Sequence, residues 1–227
     1  MIITIDGPSG TGKTTVAKRV ADRLHFAYFD TGAMYRALTW LILENKVSLE
    51  DAYAVQSCIE QFDFQVREKA GIKQYFVKNH DVTEAIRSLA VTQAVSAVSA
   101  LKQVRDSLLS FQHRFGASQN AVFEGRDLGT VVFPEAQFKV FLTADPLIRA
   151  ERRFQELLVK NPKAVEGLTH AQVLQDLMRR DEFDSTREVA PLRCPPGAFV
   201  VDTSHLCVEE VVDKIVSSYN TLFIRSS

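Results

Sequence analysis

The pattern of hydrophobic and polar positions changes period several times along the chain, and each change marks an element. Ile2 to Ile5 is a short, continuous apolar run, as a buried strand requires. After a glycine-rich interval, Val16, Ala17, Val20, Ala21 and Leu24 recur at helical spacing, so the chain opens as strand, loop, helix. Phe26 to Phe29 predicts the next strand, and Asp30 or Thr31 can cap a helix running through Ala37, Leu38 and Leu41. Ser48 with Asp51 resembles a capping pair and predicts another helix toward Gln61. The period then becomes two. Phe62, Phe64 and Val66 alternate with polar residues, "EKAGIK" supplies a turn, and Ile72 to Val77 is rich in β-formers, which predicts an antiparallel hairpin.

Helical spacing returns from Thr83 to Arg114, in two pieces. Ala121 to Glu124 and Phe138 to Leu142 are further short apolar strands. "ADPLIRAERRFQEL" begins a helix with Asp145 as cap and Pro146 at its first position. The capping box Thr169/Gln172 opens one more, with Val173, Leu174, Leu177 and Met178 on its buried side. Ala198 to Val201 predicts a fifth strand, and Val208, Val211, Val212, Ile215 and Val216 mark a closing helix. Five strands alternating with helices imply an α/β fold with a parallel sheet covered on both faces, into which the hairpin is inserted.

Composition narrows the function classes. A chain of 227 residues, 46% hydrophobic, suits one α/β domain with a real core and a small subdomain. Lys+Arg 27 against Asp+Glu 28 leaves a net charge of -1, so the bulk balance points to neither nucleic acid nor an anionic membrane, and any basic site must be local. Cys58, Cys194 and Cys207 are odd in number, scattered and without CxxC spacing, which argues against a disulfide framework and a structural zinc site and fits a reducing compartment. The histidines show no HxH or HExxH spacing. No charged leader and cleavable apolar stretch precedes Ile2, so the expectation is a cytoplasmic protein without targeting or membrane segments.

The local chemistry starts in the first loop. "GPSGTGKT", Gly7 to Thr14, matches GxxxxGK[ST], with a predicted strand before it and a helix after it. A phosphate bound by backbone N–H groups needs those amides turned inward, through backbone angles that β-carbons obstruct. Lys13 adds a mobile charge for the β- and γ-phosphates, Thr14 a hydroxyl for Mg²⁺, and the following helix its positive end. Gly7, Pro8, Ser9, Gly10, Thr11, Gly12, Lys13, Thr14 and Thr15 are therefore the candidate ATP-binding residues. Such a loop serves GTPases, motor ATPases and small-molecule kinases alike. The guanine-reading NKxD is absent from the sequence, whereas arginines stand in several motif-like strings: "DTGAMYR", "QVRD", "EGRDLGTVVFP", "IRAERR" and "RRDEFDSTREVAPL". Arg149, Arg152 and Arg153 stand at i, i+3 and i+4, and Arg180 and Asp184 at i, i+4. A single arginine suits a solvated helix face; as a set in a P-loop protein they suit a cage for two sets of phosphates.

GPSGTGKT, DTGAMYR, EGRDLGTVVFP and RRDEFDSTREVAPL, in that order, closely resemble the bacterial cytidylate kinase family of nucleoside monophosphate kinases, over essentially the whole chain. The resemblance implies a P-loop NTPase fold with a five-stranded parallel core (residues 1–30, 115–148 and 185–227), a monophosphate-binding region with a small β insert (31–114) and a lid (149–184). It implies transfer of phosphate from MgATP to CMP or dCMP by a cytoplasmic monomer without nucleic-acid or membrane partners. It further implies that Tyr35, Arg36, Arg126 and Arg187 hold the acceptor phosphate with help from Thr31, that Arg180 and Asp184 meet the ribose, and that Arg149 and Arg153 close on the donor phosphates. Lys13, Arg126, Arg149, Arg153 and Arg187 are then the catalytic set. Asp127, Arg105 and Ser96 would read cytosine, although Asp127 has the alternative of simply pairing with a nearby arginine. Glu124 stands where the family commonly has Asp, and Thr31 where Ser is frequent; the longer Glu124 is not assigned to the metal.

Overall fold

Apolar runs too short for helices become the strands of a five-stranded sheet, and the stripes between them become its helices. β1 (Ile2–Asp6) lies at the centre, hydrogen-bonded to β6 (Ala121–Gly125) on one side and β7 (Phe138–Thr143) on the other. β2 (Ala27–Asp30) and β8 (Phe199–Asp202) form the edges, in the order β2-β6-β1-β7-β8. The pairings are parallel, with Ile3 opposite Val122 and Phe138. A computed structural model describes residues 1–69, 72–160 and 167–224. The expected "EKAGIK" turn centres on residues 70–71, outside the described residues.

Alternation within the strands supplies both faces of the sheet. Ile3, Ile5, Val122, Val140 and Leu142 point to one face, where Val16, Ala17 and Val20 of α1 (Lys13–Leu24) and Val211, Val212 and Ile215 of α8 (Val208–Phe223) complete a core of fully buried side chains. The other face carries Phe123, whose ring lies 4.5 Å from that of Phe133, 5.4 Å from Phe29 and 5.7 Å from Phe115. α6 (Pro146–Lys160) and α7 (His170–Thr186) pack on each other through Ala150, Val173 and Leu177. Thr169 and Gln172 form the expected capping box at the start of α7, and Asp145 accepts from Leu147 N at 2.8 Å at the start of α6.

The contacts divide the chain into two compact units, Met1–Phe29 with Phe115–Ser227, and Asp30–Arg114. In the second, α2 (Thr31–Glu44) packs against α3 (Ala52–Glu60), α4 (Leu89–Ala100) and a three-stranded antiparallel sheet of β3 (Phe64–Lys69), β4 (Ile72–Val77) and β5 (His80–Asp81). β5 was not foreseen, because two exposed residues hold no period. Ser48 is not the cap of α3: it accepts from Glu50 N, and Asp51 accepts from Ala54 N at 3.0 Å. Helical structure begins not at Thr83 but with a 3₁₀ turn at Ala85–Arg87, and Leu101, in an extended conformation, separates α4 from α5 (Lys102–Ser118). In α7, Met178 is 53% exposed rather than buried, one step round the helix from the Val173 and Leu177 stripe.

Phe123 is the aromatic centre of the second face, so Phe123→Ala removes three ring contacts and leaves a cavity. Urea denaturation is expected to show a loss of about 3–5 kcal/mol, with a cooperative transition retained; a loss below about 1 kcal/mol contradicts this account of the packing.

Candidate active site

In open parallel sheets ligands bind beyond the carboxyl ends of the strands. The loop after β1 and the segment after its neighbour β6 both leave from that edge, as do the connections from β7 to α6 and from β8 to α8. Gly7, Gly10 and Gly12 have φ of 148, 80 and 86°, which side-chain-bearing residues rarely adopt. At Gly7 the geometry is doubly restrictive, since a Cβ would lie 2.2 Å from the carbonyl oxygen of Leu142. The loop then folds back on itself: Thr11 Oγ1 donates to Pro8 O at 3.1 Å and Lys13 Nζ to the same oxygen at 2.6 Å. Thr203, at the end of β8, donates from Oγ1 to Thr11 O at 3.2 Å and to Thr143 O at 3.1 Å, which ties the loop to β7 and β8.

Lys13 is buried, and desolvation, followed by the repulsion of Arg126, pushes its ammonium down to about 7; Glu124 opposes this and Arg180 adds to it. Thr14 Oγ1 donates to Glu124 Oε2 at 3.0 Å, and Tyr28 OH donates to Glu124 Oε1 at 2.5 Å. A hydroxyl whose hydrogen is committed to a buried carboxylate turns its lone pairs outward. Such hard oxygens fit Mg²⁺, which takes one or two protein ligands and completes its shell with phosphates and water. Asp6, fully buried, accepts from Leu128 N at 2.9 Å and Gly129 N at 2.8 Å, anchoring the "GRDLGT" segment, whose Leu128–Val132 forms a π-type turn, to the end of β1. Burial pushes this carboxyl up to about 7, with the charge of Asp127 adding and the two amides and Lys13 opposing.

The structure sorts the expected arginines. Arg149 reaches the P-loop: Nη1 donates to Ser9 O at 3.0 Å and pairs with Asp181, while Nε donates to Ala144 O at 3.1 Å. Arg153 instead pairs at 2.8 Å with Glu156 on its own helix, and Arg152 donates to the carbonyl and hydroxyl of Thr203. Arg126 Nε pairs with buried Asp184 at 2.5 Å, so Asp184 meets Arg126 on the loop after β6 as well as sharing α7 with Arg180. Arg187 donates from Nε and Nη2 to Ala190 O at 2.9 and 2.6 Å, and Nη2 lies 3.5 Å from Asp127 Oδ1. Ala190 has φ of 51°, a left-handed conformation costly for alanine before proline, and Arg187 holds its carbonyl there. In the Asp30–Arg114 unit, Thr31 is the first residue of α2, capped by Asp30 through Ala33 N at 2.8 Å. Arg105 sits with its guanidinium 5.6 Å from the ring centre of Tyr35 and donates to Ser99 O at 3.1 Å. Arg36 is held by Ile86 O at 3.1 Å and Thr92 Oγ1 at 2.9 Å, and half-buried Ser96 lies on α4.

A family model for cytidylate kinase matches residues 3–221. The chain belongs to the cytidylate kinase family. It is 48% identical over 222 residues to the cytidylate kinase of Protochlamydia amoebophila (strain UWE25), covering 98% of this chain and 97% of that one. Against the cytidylate kinase of Carboxydothermus hydrogenoformans (strain ATCC BAA-161 / DSM 6008 / Z-2901) it is 45% identical over 216 residues, 95% and 96% of the two chains. A solved structure, that of an uncharacterized protein from Eubacterium ventriosum ATCC 27560, aligns over 97% of this chain and 98% of that one with a TM-score of 0.51 at 11% identity, a likeness of fold alone.

Within this cytidylate kinase family chain, sequence reasoning passed over Asp6, Tyr28, Asp181 and Thr203. Asp6 carried a signal, a carboxylate ending an otherwise apolar strand; Tyr28 and Thr203 show their roles only through partners 96 and 192 residues away.

Native Asp6 keeps its proton to about pH 7, whereas the unfolded chain releases it near 3.8, so its contribution to stability is complete below 3.8 and is lost as the pH rises through 7. Asp6→Asn removes that dependence. Between pH 4 and 7.5 the wild type is expected to lose on the order of 2–4 kcal/mol more stability than the variant, measured by urea denaturation at each pH; parallel profiles contradict the assignment.

Proposed function

We propose that the protein transfers the γ-phosphoryl group of ATP to CMP or dCMP, giving ADP and CDP or dCDP, in pyrimidine nucleotide metabolism. The observation that carries the reading is the meeting of the P-loop lysine with the EGRD arginine at adjacent strand ends, close enough that the charge of Arg126 lowers the pKa of Lys13. A site for one nucleotide has little use for cations crowded from two strand ends; two polyanions brought end to end need their combined charge.

The attacking group is an acceptor phosphate oxygen, already ionised near neutrality because its second pKa is about 6. No general base is required, and catalysis consists of alignment and charge stabilisation. The Gly7 to Thr15 loop holds the donor phosphates through its available backbone N–H groups, Pro8 having none and that of Ser9 going to Asp181, with Lys13 at the β- and γ-phosphates and Arg149 and Arg153 closing from the lid. Thr14 would hold Mg²⁺, which supplies Lewis-acid charge neutralisation when bound with ATP. Thr31, Tyr35, Arg36, Arg126 and Arg187 hold the acceptor phosphate, and Arg180 and Asp184 its ribose. Approach of the acceptor exchanges the Asp184 carboxylate on Arg126 for phosphate. Asp127 accepts from the exocyclic amine of cytosine, while Arg105, with Ser96, donates to its acceptors. Segment 149–184 acts as the lid, closing to exclude water. A monomer in the cytoplasm, without nucleic-acid or membrane partners, belongs to the same reading; among the described residues no helix is long and apolar enough to cross a membrane.

Coupled ADP release across CMP, dCMP, UMP, AMP and GMP tests the proposal: turnover is expected with the cytosine nucleotides, and its absence with both overturns it. Uracil presents an acceptor to Asp127 and leaves the carboxylate unpaired, so Asp127→Ala is expected to narrow the CMP-over-UMP ratio of kcat/KM by about tenfold or more. An unchanged ratio removes Asp127 from base reading. Lys13→Ala is expected to lower kcat by at least about 100-fold with an unaltered circular dichroism spectrum, and near-normal kcat is incompatible with its position at the transferred group.

A further inference from the structure

Asp181, on α7 beside Arg180, touches the two parts of the donor side that chemistry requires to move together. Its side chain is 19% exposed and pairs through Oδ2 with Arg149 Nη1 from α6. Its other oxygen, Oδ1, accepts from the backbone N–H of Ser9 in the P-loop at 3.4 Å. The Arg149 side chain, 6% exposed, donates in turn to the Ser9 carbonyl at 3.0 Å. The three residues close a ring: Ser9 gives its backbone N–H to the carboxylate and its carbonyl oxygen accepts from the guanidinium, while carboxylate and guanidinium pair directly. Gly10 brings the backbone close beneath this ring, since a Cβ there would lie 3.0 Å from Arg149 Cβ.

A buried guanidinium held only by the carbonyls of Ser9 and Ala144 would keep an uncompensated charge and a rotatable stem. The carboxylate removes both defects, because it neutralises the charge and fixes the plane of the fork. The neighbouring arginines on α6 have other anchors, Arg152 at Thr203 and Arg153 at Glu156. Asp181 therefore singles out Arg149 and couples its direction to the backbone that receives the phosphates.

We propose that Asp181 is a positioning residue for phosphoryl transfer, holding the Arg149 guanidinium against Ser9 so that it faces the donor polyphosphate. The proposal rests on the kinase reading above, with Arg149 as a donor-phosphate arginine. Because alignment errors act on the transition state more than on acceptor binding, the effect falls on kcat.

The test is a double-mutant cycle of wild type, Asp181→Asn, Arg149→Ala and the pair, with ATP and CMP varied separately. Asp181→Asn is expected to lower kcat about tenfold with KM for CMP within about twofold of wild type, and to lower it less than about twofold once Arg149 is already alanine. Equal factors in the two backgrounds, wild-type kcat in Asp181→Asn, or a rise in KM for CMP matching the fall in kcat, overturn the proposal. Should Arg149→Ala be too slow to measure, hydrogen exchange at the Ser9 amide runs the same cycle without turnover. Each single change is expected to speed that exchange and the pair to add nothing beyond the larger, while additive effects overturn the coupling. Failure of the kinase reading is distinct, since wild-type protein then yields no CDP while the exchange cycle still reports on the ring.

Discussion

Like charges must be held close together before any substrate arrives, and this constraint explains most of what lies at the carboxyl edge of the sheet. Arg126 and Arg180 are each near enough to buried Lys13 for their charges to act on it. Such a cluster is stable only if each cation has compensation that a phosphate can later replace or supplement. The fold supplies carboxylates from separate elements: Glu124 of β6 opposes the downward push on Lys13, Asp184 of α7 pairs with Arg126, and Asp181 of α7 pairs with Arg149 alongside them. The acidic residues in the arginine-rich motifs thus hold the arginines beside them.

The parallel sheet makes this arrangement possible. Neighbouring strands end at the same level, so the loops after β1 and β6 emerge side by side, and Asp6 can bind the amides of Leu128 and Gly129 across that gap. Thr203 does the same from the far side, accepting from Arg152 and donating to the P-loop carbonyl of Thr11. Strand β1 fixes Asp6, which holds the Leu128 and Gly129 amides, and helices α6 and α7, which pack on one another through a small apolar cluster, carry Arg149, Arg152, Asp181 and Asp184.

Much of this was legible in the amino-acid order. The periodicities located the five parallel strands, and the Thr169/Gln172 box and Pro146 located two helix starts, because those signals are local and physical. The P-loop and the arginine strings were legible as chemistry for the same reason. What escaped was partnership. Nothing local distinguishes Arg149, directed to the P-loop, from Arg153, which turns to Glu156 one turn along, since both occupy the same amphipathic stretch. The i, i+4 spacing placed Arg180 and Asp184 on one face of α7, but nothing in it showed that the Asp184 carboxylate also takes Arg126 from a loop 58 residues earlier. β5 was missed because two exposed residues carry no pattern, and Met178 because a helical stripe predicted from spacing is wider than the groove that receives it.

These partnerships bear on how a kinase without a general base can still discriminate. If the arginines stood free, any polyanion would bind and orientation would be left to chance. Arg126 is held by Asp184 and Arg187 by Ala190 O and Asp127, so in the proposed reaction a phosphate would displace or join an existing acceptor at a defined angle. A ligand that satisfies only one of these exchanges leaves another carboxylate with reduced compensation, which costs part of the binding energy it gained. A nucleotide whose phosphate, ribose and base complete them together has no such loss. In the proposed reaction selectivity and alignment would then have the same origin: the anions that pair with Arg126 and Arg187 would also set which substrate can release them.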